Sequence, residues 1–128
     1  MHTRETSDIM RRFNDAFLTH QPALLDDLIA EDCVMESIQP APDGTRYEGR
    51  EACLAFWQEL AVDPDSFFTV EDVSVAGDRA VIRWRFHYGE GPQDTVRGVN
   101  VMLVRDGLIV EALGYAKVPP DRVPLADV

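Results

Sequence analysis

Apolar residues in the first third of the chain recur at helical spacing. Ile9, Met10, Phe13, Ala16 and Phe17 form one stripe, and Thr6 or Ser7 can cap the helix that carries it. Pro22 suits the first turn of a second helix, about residues 22–30, burying Leu24, Leu25, Leu28 and Ile29 and ending at Glu31-Asp32. Cys33 to Ile38 then read as a strand. The segment Q-P-A-P-D-G-T that follows is a loop, because two prolines and a glycine interrupt regular pairing. Cys53, Phe56, Trp57 and Leu60 return to helical spacing and predict a third helix over about residues 50–62, stopped at Asp63-Pro64.

From Phe67 the period changes to two. Phe67–Val75, Arg79–Tyr88, Thr95–Arg105 and Leu108–Lys117 are expected strands. Ala76-Gly77-Asp78 and Asp106-Gly107 are tight hairpin turns, and G-E-G-P-Q-D is a longer one. Three helices followed by a mostly antiparallel sheet make an α+β domain over residues 1–118, with a proline-rich tail at 119–128. A long twisted sheet curls around its helices and leaves a cone between them.

Alternation assigns the faces of that sheet. Ile82, Trp84, Phe86 and Tyr88 share one face and Arg83, Arg85 and His87 the other, so the aromatic set is interior. In Thr95–Arg105, Gly98, Asn100, Met102 and Val104 alternate with Val99, Val101, Leu103 and Arg105, and both sets are largely apolar. A sheet apolar on both faces needs a second cover. The simplest cover is another copy, which predicts an isologous homodimer through the outer face. Cys33, Met35 and Ser37 are the expected interior set of the first strand.

The stretch L-I-A-E-D-C-V-M-E-S-I beginning at Leu28, followed by G-T-R-Y-E-G-R-E-A-C-L-A-F-W ending at Trp57, sits in this order of helices and strands. That arrangement resembles the NTF2-like superfamily and, within it, the SnoaL-like and ketosteroid-isomerase-like proteins. The resemblance covers nearly the whole chain and implies an NTF2-like cone: three N-terminal helices on a curved, mostly antiparallel mixed sheet, open as a pocket. By registration with that family, Ile109, Glu111, Leu113 and Tyr115 are placed inside. The expected lining is then Phe13, Phe17, Met35, Ser37, Trp57, Trp84, Phe86, Tyr88, Met102, Leu113 and Tyr115.

The steroid isomerases need a carboxylate base at the end of the first strand, with a tyrosine and a protonated aspartate as oxyanion donors. The resemblance puts those positions at Ser37, Phe13 and Asn100. A serine without a neighbouring base does not shuttle a carbon-bound proton at neutral pH, so that mechanism is not expected. The epoxide-hydrolase-like pattern has an arginine and an aspartate two apart on a late strand, where Gly98 and Asn100 stand. Asn100 has two readings: a donor to a ligand carbonyl, or an amide satisfied by nearby backbone. Glu111 also has two: a desolvated general acid or base in the cone, or a paired carboxylate. Tyr88 and Tyr115 are either ligand contacts or core.

Length and composition narrow the rest. The 128 residues suit one domain that buries its own core, and 45% are hydrophobic. The net charge of −11 disfavours nucleic acid and anionic lipid as partners. The apolar runs are too short for a membrane span, the first residues are too charged for a signal peptide, and a cytoplasmic location is expected. Cys33 and Cys53 show no metal-ligand spacing and read as buried thiols; no histidine pair has such spacing either, so neither metal nor cofactor is expected. Two functions stand. One is a cofactor-independent isomerase, cyclase, dehydratase or hydrolase acting on a small apolar ligand with Glu111 and Asn100. The other is a non-catalytic dimeric binding protein for such a ligand.

Overall fold

The first apolar stripe becomes helix α1 (Thr6–Leu18), with Ile9, Met10, Phe13, Ala16 and Phe17 buried on one side. A 13-residue helix is marginal in water on its own. What holds α1 is burial of that stripe, worth about 1.5–3 kcal/mol per fully buried large side chain. The computed structural model describes residues 5–40 and 42–117, so the tail expected at 119–128 lies outside the described residues. Glu5, not Thr6 or Ser7, stands at the N-cap. Thr6 instead donates its hydroxyl to the carbonyl of Gly77 at 2.8 Å, tying α1 to a hairpin turn.

A single 3-10 turn (Pro22–Leu25) replaces the second expected helix. Leu28 donates its N–H to Leu25, and the chain then enters strand β1 (Ile29–Glu36), which absorbs Glu31 and Asp32. The short strand β2 (Arg46–Glu48) pairs antiparallel to β1 within the loop region. Helix α2 (Arg50–Val62) then buries Cys53, Trp57 and Ala61. Strands β3 (Phe67–Ala76), β4 (Arg79–His87), β5 (Thr95–Arg105) and β6 (Leu108–Ala116) follow. Among the described residues the fold is thus α+β with two α-helices rather than three.

The six strands form one sheet in the order β2-β1-β6-β5-β4-β3. Only β1 and β6 run parallel; the other neighbours are antiparallel. Asp106 and Gly107 both adopt positive φ, 56° and 75°, as a two-residue turn matching strand twist requires. One face of the sheet packs on both helices. Phe13 of α1 meets Trp57 of α2 edge to face at 5.1 Å. Ile9, Met10, Ile82, Met102 and Ile109 are fully or almost fully buried in the same core.

The pairing of β5 with β6 contains an irregularity that moves side chains between faces. Leu103 pairs with Glu111, but Val104 pairs with Ile109, so Val110 is an extra residue. A bulge of one residue reverses the alternation beyond it. Ile109 therefore points to the core as expected. Beyond the bulge Ala112, Gly114 and Ala116 take the inner face, opposite Met102, Asn100 and Gly98. Glu111, Leu113 and Tyr115 take the outer one, contrary to the sequence expectation. Glu71 is the equivalent extra residue between Val70 and Asp72 of β3.

The outer face carries Val81, Val99, Val101, Leu103, Leu113 and Tyr115, partly or largely exposed in the isolated chain. Ion pairs frame this strip: Arg79 with Glu111 at 2.9 Å, and Arg97 with Glu71 at 2.9 Å. The hydrogen bond from Arg97 holds the Glu71 carboxyl below its usual range. No helix among the described residues is long and apolar enough to cross a membrane.

Candidate functional site

The second half of α1 faces the cone. Phe13 and Phe17 form one wall there, and Phe56, Trp57 and Leu60 of α2 a second. The sheet supplies the floor through Phe68 and Val70, Ile82, Trp84 and Phe86, Val96 and Asn100, and Ala112 and Gly114. Met35 and Ser37 enter from β1 and the residue after it. Together they enclose a cavity of about 820 Å³. That volume lies within the span of small-molecule pockets, about 300–1,000 Å³.

The aromatic side chains hold one another in place by edge-to-face and tilted contacts. Phe13 meets Phe17 at 5.0 Å, Phe17 meets Phe68 at 5.7 Å, and Phe68 meets Trp84 at 5.7 Å and Phe86 at 4.7 Å. Such pairs contribute about 0.5–1.5 kcal/mol each beyond the area they bury. They also keep the wall from collapsing into the space, because each ring is already packed on its neighbour.

Two glycines make room on the floor. A Cβ at Gly98 would sit 2.5 Å from Cη2 of Trp84 and 2.5 Å from the carbonyl oxygen of Tyr115. The indole ring therefore lies over β5 in space that any other residue would fill. A Cβ at Gly114 would sit 3.4 Å from Oδ1 of Asn100 and 3.0 Å from the carbonyl oxygen of Glu36.

Polar groups are few. Ser37 is occupied by the loop: its hydroxyl donates to the Gln39 carbonyl at 2.9 Å and accepts from the Thr45 N–H at 3.2 Å. Asn100 accepts from Nε1 of Trp84 at 3.1 Å. Asn14, Gln39, Tyr47 and Tyr88 add polar ends around the wall and mouth, and Tyr88 is half exposed. Among the described residues no histidine, lysine, arginine or aspartate lines the cavity. The one carboxylate in the lining, Glu36, is ion-paired to Arg46 at 3.2 Å.

Of the residues expected from sequence, Phe13, Phe17, Met35, Ser37, Trp57, Trp84, Phe86, Tyr88 and Asn100 are brought together here. Met102 is not: it is fully buried in the closed part of the core. Leu113, Tyr115 and Glu111 are on the opposite face because of the Val110 bulge, and Glu111 is bound to Arg79 there. A carboxylate in that place has no access to a reacting atom in the cone. Tyr47, Phe56, Phe68 and Val70 were not anticipated as lining. Phe56 shares the α2 face with Trp57, which is a signal the sequence carries; Tyr47 sits in the three-residue strand β2, too short for periodicity to give one.

Cys33 and Cys53 are fully buried beside each other, outside the cavity lining. Burial, and then the neighbouring Cys53, push the Cys33 thiol far up, and burial raises Cys53. Both are neutral thiols at physiological pH. His20 donates its Nδ1–H to the Ala61 carbonyl at 2.9 Å, and His87 contacts Thr69, both away from the cavity. No group of three or more potential metal ligands occurs among the described residues.

An α+β cone with an aromatic pocket between two helices and a bulged mixed sheet defines an NTF2-like domain. The SnoaL-like domain model matches residues 10–112, and the chain belongs to that family. It is similar to an NTF2-like protein of unknown function from Mesorhizobium loti, with 53% identity over 91% of this chain and 93% of that one and a TM-score of 0.85. It is also similar to IdmH, a putative polyketide cyclase from Streptomyces antibioticus, with 30% identity over 89% and 93% of the two chains and a TM-score of 0.66. A putative ketosteroid isomerase from Kribbella flavida shares the fold at 22% identity over 93% and 82%, with a TM-score of 0.74. No curated protein matches the chain.

Proposed function

We propose that the cone is the binding pocket for a small, largely apolar, ring-containing ligand, held by shape with Asn100 as its polar anchor. The observation that carries this reading is the cavity of about 820 Å³ walled by interlocked aromatic rings. A ligand desolvated there gains about 25 cal/mol per Å² of apolar surface buried, and one or two polar contacts suffice for orientation. The chemistry such a site supports is confinement of a flexible chain in one folded conformation, together with hydrogen bonding to a developing negative oxygen. Proton transfer by a carboxylate is not favoured, since Glu111 faces away and Glu36 is engaged by Arg46.

The similarity to the Streptomyces protein favours ring closure of a polyketide-like chain as the reaction, if turnover occurs. The competing reading is a carrier or sensor of the finished ring system. Both need the same open pocket and differ in whether the ligand is changed.

We further propose that the outer face of the sheet, with Val99, Val101, Leu103 and Leu113 at its centre, joins two copies of the chain. Partly exposed aliphatic side chains in a row across adjacent strands are the kind of surface that self-association covers.

The experiment is a thermal-shift titration with rigid apolar ketones, epoxides and lactones, comparing wild type with Val96→Trp, which fills the cavity from β5. A ligand at a hundred times its Kd stabilises by about 2.7 kcal/mol. Saturable stabilisation of wild type that Val96→Trp loses is the expected result. Equal stabilisation of both proteins refutes the pocket as the site.

A further inference from the structure

The contact between Trp84 and Asn100 has a direction that chemistry fixes. An indole N–H donates and never accepts. The amide atom 3.1 Å from Nε1 of Trp84 must therefore be the oxygen of Asn100. The other branch of the side chain, the NH2 group, is left without a protein acceptor among the described residues. Asn100 lines the cavity on the sheet floor, so that branch is a donor available to a ligand there.

Two further features serve the same arrangement. Gly98, the register partner of Trp84, yields the space in which the indole lies, with Cζ2 and Cη2 at 2.6 Å and 2.5 Å from where a Cβ would be. Gly114, the register partner of Asn100, keeps the floor beside the amide low, since a Cβ there would press on the carbonyl oxygen of Glu36 at 3.0 Å. With any larger residue at 98 the ring would have to tilt, and Nε1 would leave the amide.

We infer that Trp84 is a positioning residue that locks the Asn100 amide with its N–H groups toward the ligand, so that the pocket selects neutral molecules presenting a carbonyl acceptor over those presenting a hydroxyl. The inference rests on the cone being the ligand pocket. A ketone or lactone oxygen accepts from the amide and leaves nothing unsatisfied. An alcohol can accept too, but its own O–H is then buried without an acceptor, which costs free energy. Removing the indole N–H frees the amide to turn over, and its oxygen can then receive the alcohol.

The test uses three planar tricyclic probes of nearly equal shape: 9-fluorenone, 9-fluorenol and fluorene. Dissociation constants are measured by quenching of tryptophan emission, which Trp57 still reports in Trp84→Phe. Wild type is expected to prefer the ketone over both others by roughly fivefold to tenfold, the range of one net hydrogen bond. In Trp84→Phe the ketone-to-alcohol ratio falls to within about twofold of unity, while fluorene affinity changes less than that ratio does. Asn100→Leu, which leaves Trp84 in place, loses the ketone preference as well. A wild type that binds fluorene as well as fluorenone overturns this inference alone. So does a Trp84→Phe variant that keeps the wild-type ratio, or one that weakens all three probes equally. If none of the three binds wild type, the pocket reading itself falls, and this inference with it.

Discussion

Replacing Gly98 by alanine adds one methyl group at the point where the floor of the cone is tightest. The φ of Gly98 lies outside the left-handed range, so alanine is conformationally allowed there. On backbone grounds alone the change would stabilise by about 0.4–1 kcal/mol, because it reduces the freedom of the unfolded chain. Sterics oppose this. The new Cβ would stand 2.5 Å from Trp84 Cη2 and 2.5 Å from the Tyr115 carbonyl oxygen, and the second of these belongs to the neighbouring strand and cannot rotate away. Overpacking of that kind costs about 1–3 kcal/mol. The net expectation is a loss of about 1–2 kcal/mol, or roughly 4–8 °C in Tm for a chain of this size. Urea denaturation followed by far-ultraviolet circular dichroism measures it directly. Introducing Gly98→Ala into a Trp84→Leu background should reduce the penalty, since one of the two clashing groups is gone. A Gly98→Ala protein as stable as wild type, or more stable, would refute the packing of the indole over β5, and with it the orientation assigned to Asn100.

Glu111→Gln removes one partner of an exposed ion pair with Arg79, so stability should change by no more than about 1 kcal/mol in urea titrations. Probe affinity should not change; a large loss would contradict the outward placement of β6 beyond Val110. Cys33 and Cys53 should resist alkylation by iodoacetamide at pH 8 in the native protein and react once it is unfolded, as quantified by mass spectrometry. Because burial raises the Cys33 thiol above its ordinary value of 9.0, the folded state holds that proton more tightly than the unfolded chain. The associated stability is fully present below pH 9 and should be lost above it, with a slope of up to about 1.4 kcal/mol per pH unit per thiol; a flat urea midpoint between pH 8 and 10 would contradict this. Val101→Lys on the outer face should convert dimers to monomers in sedimentation velocity, and an unchanged sedimentation coefficient would refute that face as the interface.

The change of hydrophobic period at Phe67 made the sheet legible, and strands β3 to β6 begin and end within a residue or two of where alternation and turn residues place them. Helix α2 was equally clear, because Cys53, Phe56, Trp57 and Leu60 keep helical spacing and Asp63-Pro64 follow. The segment 22–30 misled for a physical reason. Leu24, Leu25, Leu28 and Ile29 fit a helical face, yet the same residues bury equally well as one 3-10 turn entering a strand. The pocket was partly legible: nine of the expected residues face it because each lies on a stretch of unbroken period. Glu111, Leu113 and Tyr115 failed together, and for one cause. The extra residue Val110 reverses the faces of β6, and a bulge in an apolar run leaves no mark in the pattern. Short strand β2 was missed because three residues are too few to show a period.

The most direct test of an open cone is a crystal structure of the protein soaked with 9-fluorenone. Electron density for a flat tricycle between Phe13, Trp57 and Phe86, with its oxygen within hydrogen-bond distance of the Asn100 amide nitrogen, is the predicted result. A cone closed by those same rings, with the compound absent or bound elsewhere on the surface, would contradict the account.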